Sequence, residues 1–355
     1  ELQDCVIPAA GHYRFSCKVM CSPPEIEKLA DLLVHAEKPA ALFGSQVWNG
    51  RSHREALELI RTFDIPAYTN GSARGIFRND DPLSFDRTRD KALAEADVIL
   101  VVGTPFDFRL GYGKSLNPAA KVIQIDQNYS VIGKNRDIEL GLLGHAGTIF
   151  RAVVDAVSGN EKRKMAMKRK EWIATLRSAE AEALEKLMPL FKSENSLINP
   201  YRVAYELNEF LEENTIYVGD GGDVVTISAQ AVRPRRPGQW MDPGPLGSLG
   251  VGTGFAIGAK LANPDKEVVC YYGDGGFSMT AFDMETANRF KAPYLAVVGN
   301  NSAMNQIRYA QLAKYGDRGN VGTLLSDLPY GKFAEMMGGY GEEVYNPGDI
   351  APALG

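Results

Sequence analysis

Short apolar runs alternate with longer helical patterns along most of this sequence, and this alternation constrains the fold more than any other feature. The runs are rich in β-branched residues, as in Val98–Val102 (VILVV), and are too short to form ordinary helices. Strands that are apolar on both faces are typical of parallel sheets with helices packed on either side. The sequence therefore predicts an α/β fold made of two doubly wound parallel-sheet domains.

The predicted elements form two groups. The first contains helices Glu25–His35 and His53–Phe63 and strands Ala40–Phe43, Pro66–Thr69, Val98–Val102 and Lys121–Ile125. The second contains helices Pro200–Glu213, Gly254–Ala262 and Ala281–Phe290 and strands Thr215–Val218, Glu267–Tyr272 and Tyr294–Val298. Between them, the highly charged segment Glu161–Glu185 is typical of a linker helix. We predict a first, Rossmann-like domain over residues 22–159, a linker helix over 160–195 and a second domain over 196–355.

Composition and charge exclude several classes of protein. The chain has 355 residues and a formal net charge of −5, so no basic surface favours nucleic acid or anionic lipid. The basic run inside Glu161–Glu185 is followed at once by acidic residues, which favours a solvated helix face over a nucleic-acid patch. The apolar runs are far shorter than the ~20 residues needed to cross a bilayer. The first residues also lack the cationic-then-apolar order of a signal peptide, so we expect a cytoplasmic protein.

The four cysteines, Cys5, Cys17, Cys21 and Cys270, give no disulfide framework. Cys17 and Cys21 by themselves are a weak metal signal, because no His or Cys pair follows them at the spacing of a zinc finger. The cysteines therefore agree with a cytoplasmic protein.

Two polar turns follow neighbouring predicted strands in the second half of the chain. The first is Gly273-Asp274-Gly275-Gly276, and the second is Asn300-Asn301. The carboxyl ends of parallel strands meet at one edge of a sheet, where ligands bind in open α/β folds. We therefore expect the two turns to lie close together at a ligand site.

These turns carry the atoms that a metal-bound diphosphate needs. Asp274 supplies an anionic oxygen and Asn301 a neutral one, and a backbone carbonyl and phosphate oxygens would complete the octahedral shell of Mg²⁺. Gly275 and Gly276 let backbone N–H groups approach a diphosphate where the next helix begins. A Gly-Asp-Gly sequence is often only a turn. Asp274 and Asn301, however, are 27 residues apart with a turn, a helix and a strand between them, which is a far more specific pattern.

At this motif the chain resembles the thiamine-diphosphate-dependent enzyme superfamily of the decarboxylase and acetolactate synthase type. Its diagnostic motif is Gly-Asp-Gly, followed one strand later by Asn-Asn. The resemblance implies that Asp274, Asn301 and the backbone oxygen of Ala303 hold Mg²⁺ on the cofactor's diphosphate. It also implies that the glycines of the Gly273–Gly276 turn contact thiamine diphosphate.

The segment Gly247-Ser248-Leu249-Gly250 resembles a second part of the family's site. In relatives, a bulky apolar side chain here wedges between the two rings of the cofactor and bends it, and a preceding glycine carbonyl accepts a hydrogen bond from the aminopyrimidine. The resemblance gives these catalytic roles to Leu249 and Gly247, both of which then also contact the cofactor. An ordinary core position is the alternative for Leu249.

A third glycine-rich turn, Gly219–Asp223, follows the strand at Thr215–Val218. In relatives the equivalent turn touches the diphosphate end of the cofactor. This makes Gly221 and Gly222 candidate cofactor contacts, with a plain turn as the alternative.

Three segments resemble the 2-hydroxyacyl-CoA lyase and oxalyl-CoA decarboxylase branch of the family. The first two are Thr69–Gly75 (TNGSARG) and Gly103–Gly113 (GTPFDFRLGYG), which contains Arg109. Members of the branch bind the ADP part of coenzyme A at or near this central domain, whereas the corresponding loops of acetolactate synthases help to hold FAD. The resemblance therefore implies a nucleotide moiety near Arg109, and we do not expect FAD.

The third segment is the basic cluster Arg233-Pro234-Arg235-Arg236. Guanidinium groups pair bidentately with phosphate, so Arg235 and Arg236 are candidates for gripping coenzyme A. An exposed solubilising cluster is the alternative.

The resemblance covers two of the family's usual three domains. Relatives begin with a pyrimidine-binding domain that carries the glutamate that protonates the cofactor, and residues 1–21 resemble its end and the linker after it. No acidic residue of this chain matches that glutamate, so we expect the missing domain to come from a longer form of the chain or from a partner subunit. The family also implies a homodimer or a homotetramer.

The resemblance implies an enzyme that uses thiamine diphosphate and Mg²⁺ as a carbon–carbon lyase on a 2-hydroxyacyl-CoA. The implied products are formyl-CoA and an aldehyde or ketone, and the reaction is able to run as a condensation. One alternative keeps the cofactor but changes the substrate, giving an acetolactate synthase-like carboligase or a decarboxylase of 2-oxo acids or oxalyl-CoA. Another alternative is a non-catalytic subunit that retains the cofactor fold.

Overall fold

The computed structural model describes residues 6, 8, 9 and 17–355 of the chain. Within this part, two parallel β-sheets are each covered by apolar cores on both faces, which confirms the predicted fold class. Cys5 and most of the predicted domain end at residues 1–21 lie outside the described residues.

The first sheet contains five parallel strands, in the spatial order β2-β1-β3-β4-β5. They are β1 (Pro39–Phe43), β2 (Ala67–Thr69), β3 (Val98–Val102), β4 (Lys121–Asp126) and β5 (Leu140–Leu143). Because the chain leaves β1 and β3 toward opposite sides of the sheet, their carboxyl ends enclose a crevice. Phe43 is in register with Val102, so this crevice opens beside Gly44 and Gly103.

Apolar side chains alternate along these strands and build one core on each face. The helices of this unit are α1 (Pro23–His35), α2 (Ser45–Asn49), α3 (His53–Phe63), α4 (Arg89–Glu95) and α5 (Ala146–Asp155). Ala41 and Phe43 pack in the core that contains α1, α3 and α5. Ala40 and Leu42 face the opposite core, which contains α4. This two-sided burial explains why the strands are apolar throughout.

One helix of 33 residues, α6 (Gly159–Phe191), connects the two sheets. Trp172 and Leu176 enter the core beside α4, and the Trp172 indole N–H donates to the carbonyl of Pro39 at 3.0 Å. Phe191, at the last turn, belongs to a core of the second unit. The helix is therefore packed against both units, although its charge pattern indicates a mostly exposed element.

The second sheet contains four parallel strands, in the order β7-β6-β8-β9. They are β6 (Ile216–Asp220), β7 (Trp240–Met241), β8 (Val268–Gly273) and β9 (Leu295–Gly299). The helices are α7 (Pro200–Phe210), α8 (Asp223–Ala231), α9 (Gly252–Ala262), α10 (Asp274–Thr280), α11 (Met284–Arg289), α12 (Asn305–Tyr315), α13 (Tyr330–Met336) and α14 (Ile350–Leu354). None of the helices in the described part of the chain has the length and apolar character that a membrane crossing requires.

Sequence periodicity located most elements but missed two strands and several ends. It predicts no strand at Leu140–Leu143 or at Trp240–Met241, because runs this short give no periodic signal. It ends the strand before the third glycine turn at Val218, whereas β6 continues to Asp220, which is in register with Tyr272 of β8. This extension brings the Asp220 carboxylate to the edge of the sheet.

Candidate functional site

The carboxyl edge of the second sheet brings the predicted turns together. β6 ends at Asp220, β8 ends at Gly273, and β9 ends at Gly299, which is in register with Gly273. The residues that follow β8 and β9 are Asp274 and Asn300. As the sequence predicts, two segments distant in the chain therefore meet at one edge.

Asp274 joins the two turns directly. One carboxylate oxygen accepts the N–H of Gly275 at 2.8 Å. The other accepts the N–H of Asn301 at 3.2 Å and that of Ala303 at 3.1 Å. Asp274 is buried and opens α10, where an acidic residue is favoured by the helix dipole. The carboxylate therefore holds the Asn301 turn against the start of α10.

The Asn301 turn has a strained centre and a firm anchor. Ser302 adopts a left-handed conformation with φ of 54°, and the Asn301 side-chain oxygen accepts the N–H of Ala303 at 3.2 Å. The carbonyl of Ser302 accepts the N–H of Leu325 at 2.8 Å, and Ala303 forms an antiparallel bridge with Leu324. These contacts keep the amide oxygen of Asn301 beside Asp274.

The donors present here suit Mg²⁺ better than a softer metal. In the described part of the chain, no group of three or more His, Cys, Asp or Glu side chains lies close enough to hold a metal ion. The predicted ligands include just one such residue, Asp274, beside the neutral oxygens of Asn301 and Ala303. An all-oxygen set completed by phosphate oxygens is the set that Mg²⁺ prefers.

Glycines around these turns allow close approach of the backbone. A side chain at Gly276 would lie 3.0 Å from a carboxylate oxygen of Asp220, and one at Gly275 would lie 2.8 Å from the methyl carbon of Met304. Gly221 has a φ of 141°, and Gln306 Oε1 occupies the space that a side chain at Gly222 would need. These glycines therefore let the turns pack closely against the side chains of Asp220, Met304 and Gln306, and a diphosphate bound here would meet backbone N–H groups.

The Gly247–Gly250 segment lies at the same edge. It follows a short helical turn at Gly244–Leu246, and Gly247 is exposed with a φ of 61°. Leu249 is half-buried and belongs to neither apolar core of the second sheet. Its position therefore does not match the core alternative.

Asp220 is the residue of this edge whose contacts the sequence did not reveal. It is fully buried, and its two carboxylate oxygens accept the N–H of Gly250 at 3.1 Å and that of Gly252 at 2.8 Å. Burial raises the pKa of Asp220 above its usual range, and these two N–H donors oppose the rise. The sequence signal that could have identified Asp220 was a polar residue at the end of an apolar strand. Asp274 occupies a similar place, directly after its strand.

Arg109 lies at the carboxyl edge of the first sheet. Its guanidinium pairs with Asp107, with Nη2 at 2.6 Å from a carboxylate oxygen, and also reaches Asn70 at 3.4 Å and Thr104 at 3.5 Å. Asn70 and Thr104 follow β2 and β3, so Arg109 borders the crevice between strand ends. The buried Nδ2 of Asn70 and the buried Oδ2 of Asp126 have no hydrogen-bond partner, which fits a polar ligand in this crevice.

Arg235 and Arg236 do not lie with the other site residues. Both precede β7, so they occupy the amino edge of the second sheet, opposite the edge that carries Asp274. Their backbone N–H groups donate to Oε1 of Gln239, and the guanidinium of Arg236 donates to Asn214. Strand β7 therefore separates these arginines from the predicted cofactor turns, and their role as phosphate ligands stays a prediction.

Comparison with known proteins gives two family matches. The central domain of thiamine pyrophosphate enzymes matches residues 26–153, and the C-terminal TPP binding domain of the same enzymes matches residues 220–355. Thiamine pyrophosphate and thiamine diphosphate are the same compound. The two matches correspond to the two parallel-sheet units.

Individual relatives agree with the family but differ in name. The chain is 34% identical over 330 residues to 2-hydroxyacyl-CoA lyase 2 of Homo sapiens, covering 90% of the chain and 50% of the relative. It is 35% identical over 324 residues to the protein of that name from Danio rerio, covering 89% and 51%. It is 34% identical over 329 residues to an acetolactate synthase large subunit of Mycobacterium tuberculosis, covering 93% and 58%. The chain thus spans about half the length of these relatives, and it belongs to the thiamine pyrophosphate enzyme superfamily.

Proposed function

We propose that the protein containing this chain is a thiamine-diphosphate-dependent lyase that cleaves a 2-hydroxyacyl-CoA to formyl-CoA and an aldehyde or ketone. The observation that carries the cofactor assignment is the Asp274 carboxylate, which joins the start of α10 to the Asn301 turn. The lyase assignment is supported by relatives named 2-hydroxyacyl-CoA lyase 2.

Asp274, Asn301 and the carbonyl of Ala303 would hold Mg²⁺ against the diphosphate. The backbone of Gly221, Gly222 and the Gly273–Gly276 turn would surround the diphosphate oxygens with N–H donors. Thiamine diphosphate, when bound, supplies the electron sink for breaking a carbon–carbon bond. The protein's contribution at this end is to anchor the charged group so that the reacting end is held in one place.

Leu249 and Gly247 would act at the ring end of the cofactor. The half-buried Leu249 side chain has no place in a core and so suits a wedge between two rings. The carbonyl of Gly247, on an exposed turn, suits the acceptor for an aminopyrimidine N–H. Both residues therefore orient the cofactor rather than transfer protons to the substrate.

The coenzyme A part of the substrate would extend toward the first sheet. Arg109 supports this because it borders a crevice with two unpartnered buried polar atoms, on Asn70 and Asp126. In this structure Asp107 neutralises Arg109, so a phosphate would compete with that carboxylate. Arg235 and Arg236 are weaker candidates, since they lie at the far edge of the second sheet.

A further domain, outside the two units described above, would complete the site. A pyrimidine-binding domain, from the same longer protein or from a partner subunit, would supply the activating glutamate and close the cofactor between subunits of a homodimer or homotetramer. The relatives' greater length supports a further domain.

The test is to assay the full-length protein for formyl-CoA. Incubation with thiamine diphosphate, Mg²⁺ and a set of 2-hydroxyacyl-CoA substrates should release formyl-CoA, detected by mass spectrometry. Asp274→Asn should lower the rate by more than about tenfold, because loss of a charged hydrogen-bond partner costs roughly 1.5–3 kcal/mol. Asp265→Asn, an exposed aspartate in the loop before β8, should leave it unchanged. Absence of formyl-CoA from every substrate would refute the lyase assignment.

The second candidate is an acetolactate synthase-like carboligase, which is favoured by the mycobacterial relative at the same identity. Purified full-length protein that contains stoichiometric FAD and forms acetolactate from pyruvate would establish it. Binding of thiamine diphosphate without any turnover would instead favour a non-catalytic subunit.

A further inference from the structure

Within the Gly247–Gly252 loop, Gly250 is hydrogen-bonded to the rest of the site from two sides. Gly250 donates its N–H to Asp220 at 3.1 Å, and its carbonyl accepts the hydroxyl of Thr280 at 3.0 Å. The φ of Gly250 is 82°, and a side chain there would lie 2.9 Å from Cβ of Met279, so only glycine allows this approach. Gly250 directly follows Leu249, and its two bonds therefore set where the Leu249 side chain lies.

The first side of this attachment is the buried carboxylate of Asp220. Its second oxygen accepts the N–H of Gly252 at 2.8 Å, where α9 begins. The same carboxylate packs against Gly276, because a side chain at Gly276 would lie 3.0 Å from its oxygen. Asp220 therefore lies between the loop that carries Leu249 and the turn that follows Asp274, and it touches both.

The second side is α10 itself. Asp274 opens this helix and Thr280 closes it, so the helix that carries the diphosphate end also binds Gly250 at its other end. The Thr280 hydroxyl is in turn 3.2 Å from that of Thr253, which is fully buried and lies 3.2 Å from the hydroxyl of Tyr272. This row of buried hydroxyl groups anchors Thr280 on the core of the second sheet.

We infer that Asp220 and Thr280 are positioning residues that fix the separation between Leu249 and Asp274. A single cofactor molecule must be bound at its diphosphate by the segment that carries Asp274 and bent between its rings by the segment that carries Leu249. The two segments are far apart in the chain, and Asp220 and Thr280 join them through hydrogen bonds to Gly250 and Gly252. The inference rests on the proposed function, since it assumes that thiamine diphosphate spans these two segments.

The inference predicts a split between two ligands. Mg²⁺ with inorganic pyrophosphate needs only the diphosphate end, whereas Mg²⁺ with thiamine diphosphate also needs the bend. In Asp220→Asn, one amide N–H₂ would face a backbone N–H donor and the charge would be lost. We therefore expect about tenfold weaker binding of thiamine diphosphate and unchanged binding of pyrophosphate.

The experiment measures both affinities by isothermal titration calorimetry on the full-length protein. Thr280→Val removes the hydroxyl at nearly constant volume and should weaken thiamine diphosphate roughly threefold to tenfold, while Thr280→Ser, which keeps the hydroxyl, should restore it. Asp97→Asn is the matched control for Asp220. The Asp97 carboxylate accepts two backbone N–H groups, from Glu37 at 2.7 Å and Lys38 at 2.9 Å, in the other unit.

The outcomes separate this inference from the function on which it rests. Wild-type protein that binds neither ligand would refute the cofactor assignment and the inference with it. Wild-type binding together with unchanged affinity in Asp220→Asn and Thr280→Val would overturn the inference and leave the function intact. An equal loss of both ligands in these variants would also overturn it, because that loss indicates a structural role alone.

Discussion

Asp220 and Asp274 occupy nearly equivalent places on neighbouring strands, yet their carboxylates bind different segments of the chain. Asp274 follows β8 and binds N–H groups of its own helix and of the Asn301 turn. Asp220 ends β6 and binds N–H groups of the loop before α9. Both carboxylates therefore accept hydrogen bonds from backbone N–H groups, and each aspartate holds a different loop against the edge of the sheet.

Leu249 is predicted to matter for the cofactor and little for stability. Because it is half-buried outside both cores, Leu249→Ala should change the free energy of unfolding by about 1 kcal/mol or less. The same change should lower kcat roughly tenfold at saturating cofactor, since the bend is lost while the diphosphate grip remains. Urea denaturation and steady-state kinetics would measure the two effects.

The control for Leu249 is Leu246, which lies in the same segment and is 87% exposed. Leu246→Ala should leave both stability and kcat near wild type. A Leu249→Ala protein with wild-type kcat, or one destabilised by several kcal/mol, would contradict the assigned role.

At the scale of elements, α6 does more than join two units. Arg169 is fully buried on this helix and donates to the carbonyls of Leu33, Ala36 and Phe63, at the carboxyl ends of α1 and α3. Burial lowers the pKa of Arg169 to about 10. The guanidinium remains charged at neutral pH and satisfies backbone carbonyls at two helix ends, where a cation is also favoured by the helix dipoles.

Replacement of Arg169 should therefore destabilise the first unit strongly. Arg169→Met leaves buried carbonyls without a donor, and we expect a loss of about 3 kcal/mol in the free energy of unfolding. Lys170→Met, at the adjacent exposed position, should change it by less than about 0.5 kcal/mol. Equilibrium urea denaturation followed by circular dichroism would compare the two; equal stability of the variants would disprove the assigned role of Arg169.

For the whole molecule, part of the contact between the two units lies at the carboxyl end of α8. Arg74 and Arg87 of the first unit donate to the carbonyls of Ala229 and Gln230 at 3.4 Å and 3.2 Å. From the second unit, Arg233 lies 3.4 Å from Asp86 of the first. Cations at a helix carboxyl end are favourable, so this interface and α6 together hold the units in one arrangement.

The interface predicts cooperative unfolding of the two units. Calorimetry should show a single transition for the described pair of units, and Arg233→Met should lower its free energy of unfolding by about 2 kcal/mol. Arg233 loses Asp86 and carbonyls at the end of α8, whereas exposed Arg235→Met should be near neutral. Two separate transitions in the wild-type chain would contradict the prediction.

Some features of the whole molecule stay predictions. The domain limits at residues 159 and 195 fall between the two family matches, which cover residues 26–153 and 220–355. The homo-oligomer, the cytoplasmic location and the coenzyme A contacts are likewise predictions. The superfamily and the fold class are confirmed.

The sequence by itself determined the fold class and the motif at Asp274 and Asn301. Both are local signals: short continuous apolar runs indicate buried parallel strands, and polar turns at strand ends indicate a ligand edge. The Asp274 and Asn301 turns meet because the carboxyl ends of parallel strands lie at the same edge of the sheet.

Only the tertiary structure decided the contacts that depend on strand order and register. β7 is too short to be recognised from its periodicity, and its place in the sheet puts Arg235 at the edge opposite Asp274. Likewise, Asp220 reaches Gly250 and Thr280 meets the carbonyl of Gly250 because separate elements pack on one core, and no residue spacing encodes such contacts. Local motifs therefore supply the chemical groups of this site, whereas long-range packing sets the positions of these groups relative to one another.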